Sequence, residues 1–150
     1  MTDVIDDFVK KFHADMHESS FGKIFCERLS ERRYMGALRD ANIFTLKKGA
    51  CGDSMLLYFK LENGIVQDAS FQTDGCAPSV VCGSYAAELC IGKSPEALFD
   101  ISAETIIDQF GALPEKVRHC AELAAGTVHA AADKCMRELI ATQRLAADPA

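Results

Sequence analysis

The sequence has no uninterrupted apolar run of about 18 residues, the least that crosses a bilayer as a helix, so no membrane partner is expected. Its first residues, MTDVIDDFVKK, show neither the basic start nor the apolar stretch of a secretory signal, which makes the cytoplasm the expected location. Low-complexity tracts and internal repeats are missing too, leaving an ordinary globular chain. Positive charge is scarce. Lys and Arg number 16 against 22 Asp and Glu, a formal net charge of -6. Affinity for a phosphate backbone rests on clustered cations, and no nucleic-acid partner is expected. Basic residues gather only locally, at Arg28, Arg32, Arg33 and Arg39 and again at Lys116 and Arg118. A solvated face is the commoner meaning of such charges; an acidic protein could also use them. Cys-x-x-Cys pairs, the mark of a short structural zinc motif, are absent as well.

What is present fits one core. A length of 150 residues, 49% of them hydrophobic, suits a single domain that buries enough apolar surface to offset its ordering entropy. Seven cysteines are many for a reducing compartment, and an odd number cannot all pair within the chain. Metal or sulfur chemistry is the leading inference. Most of Cys26, Cys82, Cys90 and Cys135 are expected to be small buried hydrophobes.

Val4, Ile5, Phe8, Val9, Phe12 and Met16 recur at helical spacing, predicting an amphipathic helix over residues 3–17, interrupted by Ser19, Ser20 and Gly22. A second helix is predicted from about Lys23 to Ser30. Strand signals follow over Ile43–Leu46, Met55–Leu61 and Ile65–Phe71. Glu62-Asn63-Gly64 between the last two is a strong hairpin signal. After Gly75, Pro78 suits the first position of a helix that presents Val81, Tyr85, Ala86 and Leu89 to the core and stops at Gly92. Ser94 and Ser102 read as starts of two short helices, the second ending at Gly111. A long helix is predicted from about Pro114 towards Leu145, with Val117, Cys120, Ala124, Val128 and Ala131 at helical spacing and a frayed ADPA tail. Strands followed by helices predict an α+β domain: a small antiparallel sheet of about three strands covered by C-terminal helices, with an added N-terminal helix.

Three cysteines differ from the rest because each lies near a boundary between elements, where side chains converge without being buried in a core. Cys51 sits in Gly49-Ala50-Cys51-Gly52-Asp53, among glycines that let the backbone come close to a ligand. Cys76, between Gly75 and Pro78, falls at a helix N-terminus, where the dipole favours an anionic sulfur. Cys120 lies early in the long helix beside His119, a second candidate ligand. From spacing alone, buried structural cysteines explain these three equally well. Asp53 alone would read as a turn cap and His119 as a surface residue at a helix start. His13, His17 and His129 have no such context and read as surface or interface residues.

The segments ACGD at Ala50–Asp53, DGCAPSV at Asp74–Val80, GKS at Gly92–Ser94 and LPEKVRHCAELA at Leu113–Ala124 resemble the IscU/NifU N-terminal family of iron-sulfur cluster assembly scaffolds, in order and in separation. The similarity spans roughly residues 20–140. It divides the chain into an N-terminal helical extension over 1–20, a scaffold domain over 21–145 and a tail over 146–150. The resemblance implies that Cys51, Cys76 and Cys120 hold a labile cluster, of 2Fe-2S type, and that Asp53 and His119 lie at the site. It also implies a cysteine desulfurase that supplies sulfur and acceptor apoproteins that receive the cluster. Thiolates suit iron-sulfur chemistry, while a harder carboxylate or imidazole completes the site weakly, which suits transfer. Zinc fits the same mixed donors in the apo site.

The chain departs from the family in places. The segment read by the family's ATP-driven chaperone is usually Leu-Pro-Pro-Val-Lys. Here it is Leu113-Pro114-Glu115-Lys116-Val117, which weakens the expectation of chaperone-driven release. Glu31-Arg32-Arg33-Tyr34 replaces the usual Asn-Pro-Arg stretch. No long insertion separates Cys76 from Cys120, which disfavours the zinc-dependent SufU-type sulfur acceptor. A zinc-containing persulfide carrier serving a desulfurase is the alternative reading. An enzyme using Cys120 and His119 as a nucleophile pair is disfavoured, because adjacent helix positions point apart and no oxyanion motif appears. The residues themselves, apart from the resemblance, leave cluster nuclearity and a homodimer around a shared cluster open.

Overall fold

The structure, a computed structural model, describes residues 20–50, 52–109 and 115–147. The expected helix over 3–17 lies outside them, as do His13, His17, Cys51, Gly111, Leu113, Pro114 and the last three residues. The first element is helix α1 (Ser20–Glu31). Ser20 and Gly22 belong to this helix. A single glycine weakens a helix by about 1 kcal/mol, less than the burial of Phe25 and Leu29 on the same helix contributes. Within the basic cluster Arg33 and Arg39 are exposed, as the solvated reading expects, but Arg28 departs from it, with only 6% exposed. Its guanidinium donates to Ser84 Oγ at 2.7 Å, pairs with Glu88 at 3.3 Å and lies 4.2 Å from the Tyr85 ring centre.

Strands β1 (Ile43–Lys48), β2 (Ser54–Glu62) and β3 (Ile65–Thr73) form one antiparallel sheet in that order, each longer than its predicted span. Asn63 (φ 55°) and Gly64 (φ 74°) both take the positive φ that a two-residue hairpin turn of type I′ demands. Met55, Leu57, Phe59 and Leu61 alternate onto the inner face of β2, and β3 adds Val66, Ala69 and Phe71 to the core. The chain after α1 folds back on the sheet: Gly36 N–H donates to Phe71 O at 2.8 Å and Phe71 N–H to Tyr34 O at 2.9 Å.

Helix α2 (Ala77–Cys90) starts at Ala77 with Pro78 inside its first turn and ends just before Gly92, whose φ is +86°. One apolar side was expected; the helix is buried almost all round, including Ser79, Cys82, Gly83 and Ser84, while Leu89 is only half-buried. It is packed between the sheet and the long helix and also touches α1, which leaves little of it facing water. Gly83 makes that fit: a Cβ there would lie 2.5 Å from the Phe71 ring.

Two short helices follow, α3 (Pro95–Leu98) and α4 (Ala103–Ile107), capped by Ser94 and Ser102 as predicted. Helix α4 ends before the predicted Gly111. Helix α5 (Glu115–Ala147) buries Val117, Cys120, Ala124, Val128 and Ala131 and covers β1 and β2. His129, expected at the surface or an interface, is half-buried and donates from Nε2 to Ile101 O at 2.6 Å, tying α5 to the α3–α4 connection. No described helix is long and apolar enough to cross a membrane.

Gly83 provides a test in which two effects have opposite signs. Helix propensity favours Gly83→Ala by about 1 kcal/mol, whereas overpacking against a fully buried ring costs about 1–3 kcal/mol. The packing term dominates, and denaturant unfolding should show a less stable variant. A variant more stable than the parent would mean that the α2–sheet contact is looser than described.

Candidate metal centre

Three segments distant in sequence meet at one end of the molecule: the β1–β2 loop, the β3–α2 junction and the start of α5. The first two are fastened to each other. Ser54 N–H donates to Asp74 Oδ1 at 2.7 Å, Thr73 Oγ1 donates to Ser54 O at 2.6 Å, and Gly75 N–H donates to Thr73 Oγ1 at 3.1 Å. The β1–β2 loop closes on itself through Gly49 N–H to Asp53 O at 2.6 Å, and Gly52 takes φ +88° within it. Asp53 is thereby held against the β3–α2 junction. A Cβ on Gly75 would stand 3.1 Å from Asp53 Oδ2 and 2.6 Å from Ser79 Oγ, so only glycine admits this approach.

Cys76 occupies the N-cap of α2 with its thiol exposed; its carbonyl accepts from Ser79 N–H at 2.9 Å. Cys120 is opposite, on α5. Contrary to the expectation of a boundary thiol outside the core, Cys120 is 7% exposed, because the stripe that carries it is the one α5 packs against α2. Ser79 Oγ, fully buried, donates to Cys120 Sγ at 3.4 Å. Burial pushes the Cys120 thiol up to about 11 from an ordinary 9.0. The Ser79 hydroxyl opposes the shift, and the neighbouring Cys76 and Asp53 reinforce it. His119 is exposed, with Nδ1 3.7 Å from Glu122 Oε2.

A cavity of ≈ 300 Å³ brings these groups together: Asp53, Cys76, His119 and Cys120 all line it. Cys51 lies outside the described residues, although its neighbours Ala50 and Asp53 border the same cavity. Among the described residues, no three His, Cys, Asp or Glu side chains already close into a metal-holding group. Two thiols, the carboxylates of Asp53 and Glu122 and an imidazole around one opening are a donor set suited to a soft metal–sulfur group at its centre and harder ligation at its edge.

Sequence reasoning missed Ser79 and Lys47, which also line the cavity. Ser79 lies one turn after Cys76, a spacing that signals a shared helix face; nothing in the sequence links it to Cys120. Cys82 is a packed helix residue, as expected. Its thiol is raised well above the ordinary value by burial, then by Cys120 and Cys76, which places it behind the pair rather than in the opening. Cys26, Cys90 and Cys135 are buried elsewhere, each raised chiefly by burial.

Cys120 sets a pH dependence. A thiol raised by burial is protonated at neutral pH, and its reactive thiolate grows as pH rises towards the raised value. Alkylation of Cys120 in apo protein, followed by peptide mass mapping, should therefore climb about tenfold per pH unit from about pH 7 to about pH 10. Ser79→Ala, which removes the opposing hydrogen bond, should move the curve to higher pH. A plateau below about pH 9 would contradict the burial argument.

The family model of the NifU-like N-terminal domain matches residues 21–140. An iron-sulfur cluster assembly scaffold protein IscU of Archaeoglobus fulgidus is 33% identical over 110 residues, spanning 73% of this chain and 71% of that protein. One from Haemophilus influenzae is 38% identical over 104 residues, 66% of this chain and 82% of that protein. Among solved structures, an N-terminal NifU-like protein from Brucella abortus superposes with a TM-score of 0.62, covering 81% of this chain and 98% of that one. At 18% identity, that likeness speaks for the fold alone.

Proposed function

The chain belongs to the NifU-like N-terminal domain family, and we propose that it is a scaffold on which a labile iron-sulfur cluster is assembled and then transferred to acceptor apoproteins. The observation that carries the reading is the convergence of Asp53, Cys76, His119 and Cys120 on one cavity, beside a loop in which Cys51 stands two residues before Asp53. In this reading Cys51, Cys76 and Cys120 supply thiolates to the cluster, with Asp53 and His119 as its harder neighbours. The sulfur comes from a cysteine desulfurase, in a cytoplasm that keeps the thiols reduced. The cluster is cargo, of 2Fe-2S type, and the chain performs no catalysis of its own. Residues 1–20 form an extension to the scaffold domain.

The protein contributes position and electrostatics. The Ser54–Asp74 and Thr73–Ser54 hydrogen bonds hold the loop of Asp53 against the helix start of Cys76. Loading must displace the proton that burial keeps on Cys120, with the Ser79 hydroxyl available to stabilise the thiolate left behind. The mixed sulfur, nitrogen and oxygen donors also suit zinc, which would make a persulfide carrier of the same site.

Anaerobic reconstitution with iron and sulfide, read by visible absorption and by the iron-to-protein ratio, separates the two readings: a scaffold gains a chromophore with stoichiometric iron, and a zinc-holding carrier does not. Cys51→Ala, Cys76→Ala and Cys120→Ala should each abolish a stable cluster with the fold largely intact. Cys26→Ala and Cys135→Ala should retain it. A Cys76→Ala variant that loads like the parent overturns the ligand assignment.

Asp53 governs release. A carboxylate is a harder ligand than a thiolate and binds such a centre reversibly, leaving a position that an incoming thiol can take. Its charge beside several thiolates also opposes the loaded state. Asp53→Ala should lengthen the life of the bound cluster and slow its transfer to an apo-ferredoxin. A cluster that decays faster without Asp53 would assign the carboxylate to loading instead.

A further inference from the structure

A lysine and a glycine meet across the contact between β1 and α5. The two-residue alternation that buries Ile43 and Thr45 puts Lys47 on the same inner face of β1, the face that α5 covers. Lys47 is nevertheless exposed, because a long stem carries its ammonium out to water. On the opposing helix, Gly126 sits in the interior of a 33-residue helix, where glycine is unfavourable by about 1 kcal/mol against alanine. The two residues face each other. A Cβ on Gly126 would stand 2.9 Å from Lys47 Cε, so the glycine leaves the notch across which the lysine stem passes.

The stem that passes this notch belongs to a lysine bordering the thiol cavity, with Lys48 beside it on the same rim. Among the described residues no ion pair occupies either ammonium. The other charges on the lining are the carboxylates of Asp53 and Glu122, the latter next to His119. Without the lysines, the carboxylates of Asp53 and Glu122 would dominate the charge of the opening and would repel an approaching anion.

We propose that Lys47, seated over Gly126 and assisted by Lys48, is a specificity-determining residue that draws small sulfur anions such as hydrosulfide to the thiols of the cavity. The identity of the anion rests on the scaffold reading; the selectivity for negative charge does not. An ammonium a few ångströms from an incoming monoanion in a water-like dielectric changes its local concentration about threefold, an effect that salt screens.

The test uses the full apo chain at low ionic strength and compares Cys76 alkylation by anionic iodoacetate and by neutral iodoacetamide, resolved by peptide mass mapping. Both reagents need the same thiolate, so their rate ratio isolates the charge of the approach path. Lys47→Gln should lower the iodoacetate-to-iodoacetamide ratio about threefold, and Lys47→Arg should restore it. Gly126→Ala should lower it by displacing the stem, and added salt should depress the parent ratio more than that of Lys47→Gln. At limiting sulfide, Lys47→Gln should also need about threefold more sulfide for half-maximal loading. An unchanged ratio in Lys47→Gln, whether or not Lys48→Gln lowers it, overturns the assignment to Lys47. A lowered ratio with an unchanged sulfide requirement overturns sulfide as the anion drawn. Should the parent take up no iron and sulfide while the ratio still falls in Lys47→Gln, the scaffold reading fails and the charge selectivity stands.

Discussion

The close packing of α2 between the sheet and α5 is the constraint on which the rest depends. The helix reaches that depth because small residues face its neighbours: Gly83 against the Phe71 ring and Ser79 against Cys120. With α2 so placed, its N-terminus can emerge only beside the β1–β2 loop, which the hydrogen bonds of Ser54, Thr73 and Asp74 have already drawn in. Cys76 is carried to the opening by that geometry, and Gly75 permits Asp53 to meet it there. The site is thus a by-product of core packing at one end and of a latched strand pair at the other. Changes at Gly83 or Ser79 act on it through position.

Much of this was legible in the sequence. The Asn63-Gly64 turn, the strand signal over Met55–Leu61, the serine caps at Ser94 and Ser102 and the helical pattern from Val117 to Ala131 are local signals, and the structure realises each of them. Asp53, Cys76, His119 and Cys120 could be named as a set only because whole segments resembled a family; their spacing alone left buried cysteines equally plausible. What escaped was decided by tertiary contact. The all-round burial of α2, the core location of Cys120 and the hydrogen bond from Ser79 depend on which helix lies across which sheet, and no periodicity encodes that. Arg28 shows the same thing from the polar side, since its charge reads as solvated until Ser84, Glu88 and Tyr85 are seen around it.

The two visible thiols are placed in opposite environments, and that asymmetry matches a site meant to be filled and emptied. Cys76 is exposed at a helix start, open to a partner; Cys120 is enclosed, and burial favours its protonated form. A pair of equally exposed thiols would load readily and oxidise readily. A pair of equally buried ones would hold a cluster beyond the reach of an acceptor. With one of each, the first sulfur can engage from the surface, and only complete loading repays the lost proton and the desolvated charge at the second. Ser79 moderates that penalty with a single hydrogen bond rather than removing it. On the scaffold reading, the retained penalty is functional, since a site that stabilised its thiolates fully would bind its cargo too tightly to release it. Position and burial, more than the identity of the donors, would then set how long the cluster stays.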